Sequence, residues 1–505
     1  MNRTRRMLAL GIGMVVFGAV APGGQAAGPD VIVSTVGGAF SENGAVGTLS
    51  GYSMETTSCN IGTLRAIWIE CTGGSQCNQH PVIAQNLYRL RTVAGSTRFE
   101  QLGMSWVKHG FCAADSTLCG NCASEPSCDW LGLQCSDTYS SFLNGSQPGL
   151  GPRSEINAYT GVFAYPYVLN WNLAGNATYK RLQVATADVD PAQNVGATWL
   201  GESHYVTTDE SPAERFNNAS WRQVTVGSFN GGIWNLSFSG STHAQQAAIE
   251  AWPTLDPDAK VTDAYVSGEG RFILGYKVTD LGGGVWHYEY ALYNMNSDRA
   301  ASMFRVPVGD GLAVSNVEFH DVNYHSGEPY DGTDWGGVHA AGNVTWITPS
   351  PGGVAAANRN ALRWSTMYNF RFDCNAPPIA GDVTIGLFKA GTPASLTVSV
   401  KVPESIPPGC DCINDGGCDG GICTMQRCID CLCASQPNIY GDANHDGTVD
   451  IFDIECVLGA FAGDYSKCDL LSTDIIPCPS GDGFVDVFDI LGDLDAFAGS
   501  TGCCP

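Results

Sequence analysis

Apolar and polar residues alternate most regularly between residues 271 and 292. In 271–279 the apolar residues occupy every second position, and the alternation resumes in 286–292 after a linker that ends in three glycines. A period of two places the apolar side chains on one face of a strand, and glycine accepts the backbone angles of a tight reversal. The pattern therefore predicts an antiparallel hairpin with one buried face.

Shorter alternations of the same kind recur at residues 368–372, 383–387 and 396–400. Short strands separated by turns are typical of two packed sheets, each with one face in the core. We therefore expect residues 166–403 to form an antiparallel β-sandwich domain.

One helix is expected within this domain, over His243–Trp252. Thr242 and Gln245 have the spacing of a capping box at its start. Pro253 would end the helix, because proline cannot continue the backbone hydrogen bonds.

Residues 28–165 hold eight of the chain's 21 cysteines. Strands are expected at Ile67–Ile69, Val82–Leu90 and Met104–Val107. The segment Cys112–Cys135 is too dense in cysteine, glycine and serine for regular structure, so we expect a loop pinned by cross-links. This region is predicted to be a disulfide-stapled, β-rich domain.

Residues 1–27 have the three parts of a signal peptide. Three arginines lie in the first six residues, Met7–Val20 is apolar, and residues 24–27 suit a signal peptidase. The apolar run is too short to span a bilayer, and no other stretch is apolar enough to do so. We therefore expect a protein that is secreted, either extracellular or in the cell envelope, without a membrane span after cleavage. The cysteines suit that oxidising location, and their odd number leaves at least one thiol free or paired between molecules.

The charge balance excludes one large class of partner. The chain has 25 basic and 50 acidic residues, for a formal charge of −25. Such a chain repels nucleic acid and anionic lipid, so no nucleic-acid partner is expected. The 62 glycines and the 15% of charged residues indicate many turns and few solvated helix faces.

A cysteine-rich spacer is expected at residues 404–436. Seven cysteines crowd into Cys410–Cys433, just after the turn signal Pro407-Pro408-Gly409. A segment with so little apolar surface needs cross-links to become ordered. Zinc is the alternative for closely spaced cysteines, but disulfides are favoured in an exported chain.

The tail contains an internal duplication. Residues 446–454 recur at 482–490, and residues 460–463 recur at 496–499, both at an offset of 36. We therefore expect residues 437–505 to form a small domain built from two copies of one unit.

The first copy contains a calcium-loop pattern, Asp442-x-Asn444-x-Asp446-Gly447-x5-Asp453. Ca²⁺ prefers about six to eight oxygen ligands, and alternate polar residues in a tight loop supply them. Apolar residues at helical spacing over 454–461 indicate that a helix follows the loop. The expected ligands are the side chains of Asp442, Asn444, Asp446, Asp450 and Asp453 and the backbone carbonyl of Thr448.

These repeats resemble the dockerin family, whose type I members carry two such loop–helix units with aspartate closing each loop. The resemblance covers residues 439–499 only. It implies a small α-helical, EF-hand-like module that folds on calcium, binds cohesin domains and commonly docks glycan-degrading enzymes onto a scaffold or cell surface. The second-copy ligands that it implies are the side chains of Ser480, Asp482, Asp486 and Asp489 and the carbonyl of Phe484.

The second copy departs from the family pattern at its first position, where Cys478 replaces aspartate. A cysteine in an oxidising compartment forms disulfides more readily than calcium bonds. We therefore expect a weaker or empty second site and a bridge from Cys478 to Cys468, Cys503 or Cys504. Residues 436–505 carry thirteen acids and one lysine, so their repulsion should loosen the tail when no cation is bound.

A second possible metal site is the polar segment 320–325, which is followed by Glu328, Asp331 and Asp334. It could hold a transition metal or another calcium ion. No recognised ligand spacing is present, so a polar loop between strands is the favoured interpretation.

Two further groups permit a catalytic interpretation, but a structural one is favoured. His80 and His109 could meet a carboxylate such as Asp137, although surface or core histidines are more common. Cys119 and Cys122 have the spacing of a redox pair, although the other cysteines of the domain favour a structural bridge.

Glycan hydrolysis requires an acid and a base carboxyl several ångströms apart. The candidate carboxyl groups are Glu202, Glu250, Glu269 and Glu289. The sequence contains no nucleophile elbow, zinc-protease motif or phosphate-binding glycine loop, so no catalytic residue is assigned.

These observations favour an exported, non-catalytic structural or adhesion protein that is attached through a calcium-dependent, dockerin-like tail. Its expected partner is a cohesin-like or other cell-surface protein, with polysaccharide as a further possibility. The alternatives are a secreted glycan-active hydrolase with the same tail and a carbohydrate-binding protein without turnover. An open cleft with two carboxyl groups at hydrolase separation would favour the enzyme, whereas filled sandwich faces would favour the structural role.

Overall fold

The computed structural model describes residues 28–69, 78–309, 311–325, 327–404, 440–444, 448–462, 468, 473–476 and 485–499, together with the backbone of 424–429 and 432–437. The expected signal peptide, 1–27, lies outside these residues. The described chain is mainly β, and all its strand pairs are antiparallel, as the alternation predicts.

The first unit is an eleven-stranded sheet, and two shorter strands, β3 and β7, form a separate pair beside it. The order across the sheet is β1-β2-β10-β5-β4-β11-β12-β13, with β6, β8 and β9 attached at its side. The strands are β1 (Val31–Val46), β2 (Leu49–Asn60), β3 (Ala66–Ile67), β4 (Val82–Val93), β5 (Ser96–Met104), β6 (Val107–His109), β7 (Trp130–Leu131), β8 (Ser136–Tyr139), β9 (Leu150–Gly151), β10 (Leu182–Ala185), β11 (Thr198–Val206), β12 (Ala219–Asn230) and β13 (Ile233–His243).

The central strand β4 is buried on both faces. Ile83 and Leu87 belong to one apolar cluster, whereas Tyr88 and Leu90 belong to another. A strand without a solvated face buries the side chains of both its faces, which explains why the nine successive residues Val82–Leu90 of β4 are all buried, the polar ones included.

This sheet crosses the division that was expected between residues 165 and 166. The short strand β10 pairs with β2 on one side and with β5 on the other. Chain from both sides of residue 165 therefore builds one sheet, and the next set of sheets begins only at Lys260.

The strands expected in the first region are realised to different extents. Val82–Leu90 is confirmed within β4, and Ile67–Ile69 shortens to β3. Met104–Val107 is not one strand, because Met104 ends β5 and the amides of Ser105 and Trp106 bond elsewhere before β6 begins.

Three disulfides pin residues 112–135, as the cysteine density predicts. They are Cys59–Cys119, Cys112–Cys128 and Cys122–Cys135. Cys119 and Cys122 therefore bond to different partners, which supports their structural interpretation over a redox pair.

The second unit consists of two five-stranded sheets, in the orders β14-β15-β16-β21-β18 and β19-β20-β17-β22-β23. Residues of both sheets share one apolar core, which makes this unit a sandwich. The strands are β14 (Lys260–Val266), β15 (Gly270–Gly282), β16 (Val285–Asn294), β17 (Ala301–Pro307), β18 (Val314–His320), β19 (Gly336–Ala340), β20 (Asn343–Ile347), β21 (Thr366–Cys374), β22 (Pro378–Leu387) and β23 (Ser395–Pro403).

The hairpin expected from the alternation at 271–292 is confirmed as β15 and β16. Phe272 and Leu274 enter the sandwich core, whereas Ile273 packs on the opposite side against the first unit. Both faces of this sheet are therefore covered.

The helix expected over His243–Trp252 is wrong in its first half. Strand β13 continues to His243, and Gln245 has a φ of 63°, which is incompatible with a helix. Thr242 accepts a hydrogen bond from the amide of Val36 and caps no helix. Pro253 lies in the first turn of a short helix, where its missing N–H costs nothing.

The remaining elements are short or lie near the C-terminus. Among the described residues, no helix combines the length and apolar character that crossing a bilayer requires. These remaining elements are the helices α1 (Ser141–Asn144), α2 (Trp252–Leu255), α3 (Ile451–Phe461) and α4 (Val487–Phe497), and the paired strands β24 (Thr424–Ile429) and β25 (Leu432–Pro437).

Trp252 anchors the contact between the two units. It is completely buried, its ring lies 6.2 Å from that of Phe99, and its indole N–H donates to Thr97. Ile273 and Tyr293 of the second unit belong to the same apolar cluster. The two units therefore share a continuous core.

We expect Trp252→Ala to lower the free energy of unfolding by about 3–5 kcal/mol, because it removes a buried ring and leaves a cavity. Phe229→Ala is the matched control: Phe229 is 49% exposed and should change stability by less than about 0.5 kcal/mol. Equilibrium urea unfolding measures both, and equal losses would contradict the anchoring role.

Candidate functional site

Both tail helices begin with the same pair of aspartates. The side chain of Asp450 accepts from the amide of Phe452, and Asp453 accepts from the amide of Asp450. In the second copy, Asp486 and Asp489 make the equivalent bonds. These reciprocal caps satisfy helix-end donors and place acidic groups at the positive end of the helix dipole.

The second oxygen of the closing aspartate distinguishes the two copies. Asp453 Oδ1 accepts from the amide of Asn444 at 3.0 Å, which ties the loop to its helix. Asp489 Oδ1 accepts from the amides of Ile475 and Ile476, each at 2.8 Å, which precede the expected loop. The halves are thus alike at the helix start and different upstream of it.

The structure describes seven of the eleven expected calcium ligands. Hydrogen bonds join Asn444, Asp450 and Asp453. Asp442, which lies two residues before Asn444, is buried. In the second copy Asp486 and Asp489 lie together. Thr448 is exposed. The other expected ligands lie outside the described residues; they are Asp446, Ser480, Asp482 and Phe484.

Asp493 on α4 is a buried acid that the loop pattern does not reveal. It is 1% exposed, and within the described residues neither of its oxygens accepts a hydrogen bond. Burial, and secondarily the charge of Asp453, raise the pKa of Asp493 to about 7. At the offset of 36 its counterpart is the apolar Val457, so comparing the copies would have exposed it.

A disulfide forms part of the tail core. Cys456 of α3 bonds to Cys468, and both pack with Ala443 and Val457. The bridge considered between Cys478 and Cys468 is therefore wrong, because Cys468 already has a partner. Cys478 itself lies outside the described residues.

Both tail helices expose an apolar face. Large apolar side chains rarely cluster on a solvated surface unless that surface binds something. The exposed residues are related by the repeat offset at four of five positions; they are Ile451, Phe452, Leu458 and Phe461 on α3 and Val487, Phe488, Leu491, Leu494 and Phe497 on α4.

The candidate hydrolase carboxyl groups are all engaged by donors. Glu202 accepts from Asn86, Tyr88 and Tyr293 and from the amide of Ala248. The others are bound in the same manner: Glu250 by Arg271 and the amide of Ala247, Glu269 by Ser297 and the amide of Arg299, and Glu289 by Arg98 and Arg371. Each carboxyl group therefore already has a structural partner.

A cleft of about 290 Å³ lies where the two units meet, lined in part by His287, Glu318 and Asp373. His287 Nδ1 lies 2.6 Å from Asp373, and its Nε2 lies 3.3 Å from Glu289. Burial alone would lower the pKa of His287, but the hydrogen bonds to Glu289 and Asp373 outweigh it and raise that pKa. The charged groups of this cleft bind one another.

The histidines of the two other candidate groups make contacts within the fold. His80 and His109 are buried and lie 2.9 Å apart, nitrogen to nitrogen, whereas Asp137 accepts from Trp68 instead. In the polar segment 320–325, His320 contacts the carbonyl of Gln101 and His325 those of Thr178 and Arg181. The polar-loop interpretation fits these contacts.

One group of three possible metal ligands occurs in the described parts of the chain, namely Asp115, Cys122 and Cys135. The two cysteines form a disulfide with each other, so they cannot bind a metal as thiolates.

No family model matches the chain, and no curated protein matches it. The residues and their geometry therefore carry the functional assignment.

Replacing Asp493 by Asn should stabilise the calcium-free tail by about 1–3 kcal/mol, because it removes a buried carboxyl group that none of the described residues bonds to. Thermal unfolding of the full chain in chelator measures the change in the tail transition. Asp495→Asn is the control, since Asp495 is exposed on the same helix. If Asp493→Asn leaves the unfolding temperature of the tail unchanged, the conclusion that Asp493 destabilises the calcium-free tail is wrong.

His287 should make stability depend on pH. Its folded-state pKa is raised, so its contribution is complete below the unfolded value near 6.5 and disappears as pH rises through the folded value. We expect wild type to lose more stability than His287→Asn between about pH 6 and pH 9, measured by urea unfolding. Phe229→Ala, which removes no titratable group, should keep the wild-type slope; the same slope in His287→Asn would contradict this role.

Proposed function

We propose that this protein is an exported structural or adhesion protein of the cell surface or extracellular matrix, attached through a calcium-dependent, dockerin-like tail. The observation that carries the proposal is the duplicated acidic helix start, in which Asp453 also holds the loop amide of Asn444. A loop and helix joined in this way bring carboxylates together, as calcium binding requires.

The electrostatics of the tail support a cation ligand. Thirteen acids and one lysine lie in residues 436–505, and three of the acids, Asp453, Asp489 and Asp493, are at most 1% exposed. Buried charge needs an opposite charge nearby, and this segment supplies almost none of its own. A bound Ca²⁺ would provide it and would couple folding of the tail to the metal.

The exposed apolar faces of α3 and α4 support a protein partner. Phe452 and Phe488 occupy equivalent positions in the two copies, and each is more than half exposed. An amphipathic helix that offers apolar anchors to a groove is a common recognition mode. A cohesin-like or other cell-surface protein is the partner we infer.

The sandwich supports a structural role rather than hydrolysis. Its two sheets bury large aromatic residues such as Tyr290, Phe370 and Trp346 in one filled core. The candidate acids Glu202 and Glu289 are committed to hydrogen bonds and ion pairs. A glycan hydrolase instead needs an open site in which an acid and a base carboxyl group face the substrate.

Calcium titration of the mature full-length protein tests the proposal. Asp442→Ala and Asp453→Asn should each weaken calcium binding at least about tenfold by calorimetry, because each removes a carboxylate ligand. Ser480→Ala is the control and should change it little, since the second loop starts with a cysteine. Retention on a cell-envelope fraction should require calcium and be lost in chelator.

Equal losses in all three variants would contradict the asymmetry of the loops. Tail unfolding curves that are identical with calcium and with chelator would refute the calcium-dependent attachment itself.

A further inference from the structure

The longest irregular segment of the first unit is the aromatic loop, residues 157–181, between β9 and β10. Apart from a single bridge at Phe163, it contains neither helix nor strand. Its 25 residues include six aromatic side chains and no acid, in a chain with 50 acidic residues. Irregular loops longer than about 12–15 residues are uncommon in compact domains and usually have a function.

Polar side chains outside the aromatic loop form hydrogen bonds with its backbone and hold it in place. Glu155 accepts from the amides of Val168 and Leu169, at 2.8 and 2.7 Å. Gln147 accepts from the amide of Gly175 and donates to the carbonyl of Asn176. These bonds fix the backbone, so the loop would lose little conformational freedom on binding a ligand.

A buried lysine and a buried histidine add to the bracing. The ammonium of Lys180 donates to the carbonyl of Asn170 at 2.8 Å and lies 4.9 Å from the ring centre of Trp106. Lys180 is completely buried, so its charge is not offered to solvent. His325 reaches the loop from the second unit, within 2.9 Å of the carbonyls of Thr178 and Arg181.

The tips of this rigid loop are apolar and exposed. Val168 is 81% exposed and Trp171 42% exposed, and Val162 and Leu173 are also exposed. The ring of Trp171 lies 4.7 Å from that of Tyr167 and 5.3 Å from that of Tyr165, in edge-to-face contacts that hold the indole in place. Asparagines flank the indole at positions 170 and 172, both with left-handed backbone.

The chemistry of this surface selects among occupants. The exposed tips Val162, Val168, Trp171 and Leu173 carry no charge, so they offer nothing to an ionic ligand. Loops that insert into lipid usually combine apolar tips with exposed lysine or arginine, whereas here Lys180 is buried and the half-buried Arg181 donates to the carbonyls of Gly145 and Ala177. Aromatic rings beside amide groups match a sugar polymer instead, whose C–H faces are apolar and whose hydroxyl groups donate and accept hydrogen bonds.

We propose that the aromatic loop is a binding platform for a neutral polysaccharide. A pyranose ring rests on the exposed indole of Trp171, and the amide of Asn172, which is exposed beside it, bonds to a neighbouring hydroxyl group. This site lies on the first unit and is independent of the calcium-dependent tail, so either proposal can fail without the other.

Co-sedimentation of the mature full-length protein with insoluble cellulose, xylan, chitin and mannan tests this site. Wild type should bind at least one of them, and Trp171→Ala should weaken that binding at least about tenfold. Asn172→Ala should weaken it a few fold, and Trp171→Phe should retain part of it. Phe229→Ala, which removes an equally exposed ring elsewhere, should bind as wild type.

Parallel measurements separate the other occupants. Vesicles of phosphatidylcholine probe lipid, and sedimentation velocity probes self-association, each with wild type and Trp171→Ala. The proposal is overturned if none of the four polysaccharides binds, or if Phe229→Ala weakens binding as much as Trp171→Ala. It is also overturned if Trp171→Ala abolishes vesicle binding or self-association while polysaccharide binding is unaffected. Asn172→Ala, an exposed polar change, keeps the test valid if Trp171→Ala does not fold.

Discussion

A charged side chain that is buried without a partner costs several kcal/mol, and the two parts of this molecule meet that cost in opposite ways. In the β units several charges are buried in compensated sets. Arg153, for example, donates to the carbonyls of Gln85, Ser105 and Ser365, so every part of its guanidinium is bound. In the tail, Asp453 and Asp489 receive only backbone amides, and Asp493 receives no hydrogen bond from the described residues. These sets are complete within the fold, whereas among the described residues Asp453, Asp489 and Asp493 have no basic partner, and this difference is the basis of the proposed cation.

This completeness decides what the β units can do. A catalytic acid needs a position in which its proton can reach a substrate, but the oxygens of Glu202 are held by two tyrosines and an amide inside the shared core. Glu100 and Arg371 likewise bind each other across the two units. Such groups fix the relative position of the sheets. For these carboxyl groups the contacts favour a structural role over a catalytic one.

How far the sequence predicts this fold depends on how local each determinant is. The hairpin at 271–292 follows from side-chain alternation within one segment, and β15 and β16 confirm it. The boundary at residue 165 fails because β10 pairs with β2 across about 130 residues of sequence, and four residues carry no local sign of that pairing. The helix at 243–252 fails because tertiary contacts, such as that of Thr242 with the amide of Val36, override its weak local preference.

The candidate sites show the same dependence. The aspartates that begin α3 and α4 can be recognised in the sequence, because helix caps and calcium loops use fixed spacings. Asp493 stands out from the sequence only when the two copies are compared, because its counterpart is Val457, and the packing of α4 shows that it is buried. The composition of the aromatic loop can be read from the sequence. Its exposure and its hydrogen bonds to Gln147 and Glu155 depend on the folded structure around it.

Charge is segregated along the chain, and this gives the two candidate binding surfaces different chemistry. The tail concentrates thirteen of the 50 acids, whereas the aromatic loop contains none in 25 residues. Attraction of a cation to the tail weakens with distance and with salt, so it has little influence on a neutral surface farther than about 10 Å away. A neutral polymer is in turn indifferent to the charge of the tail. One molecule could thus hold a protein through calcium and a polysaccharide through aromatic contact, with neither interaction opposing the other, which is what a protein that connects two components of a cell surface requires.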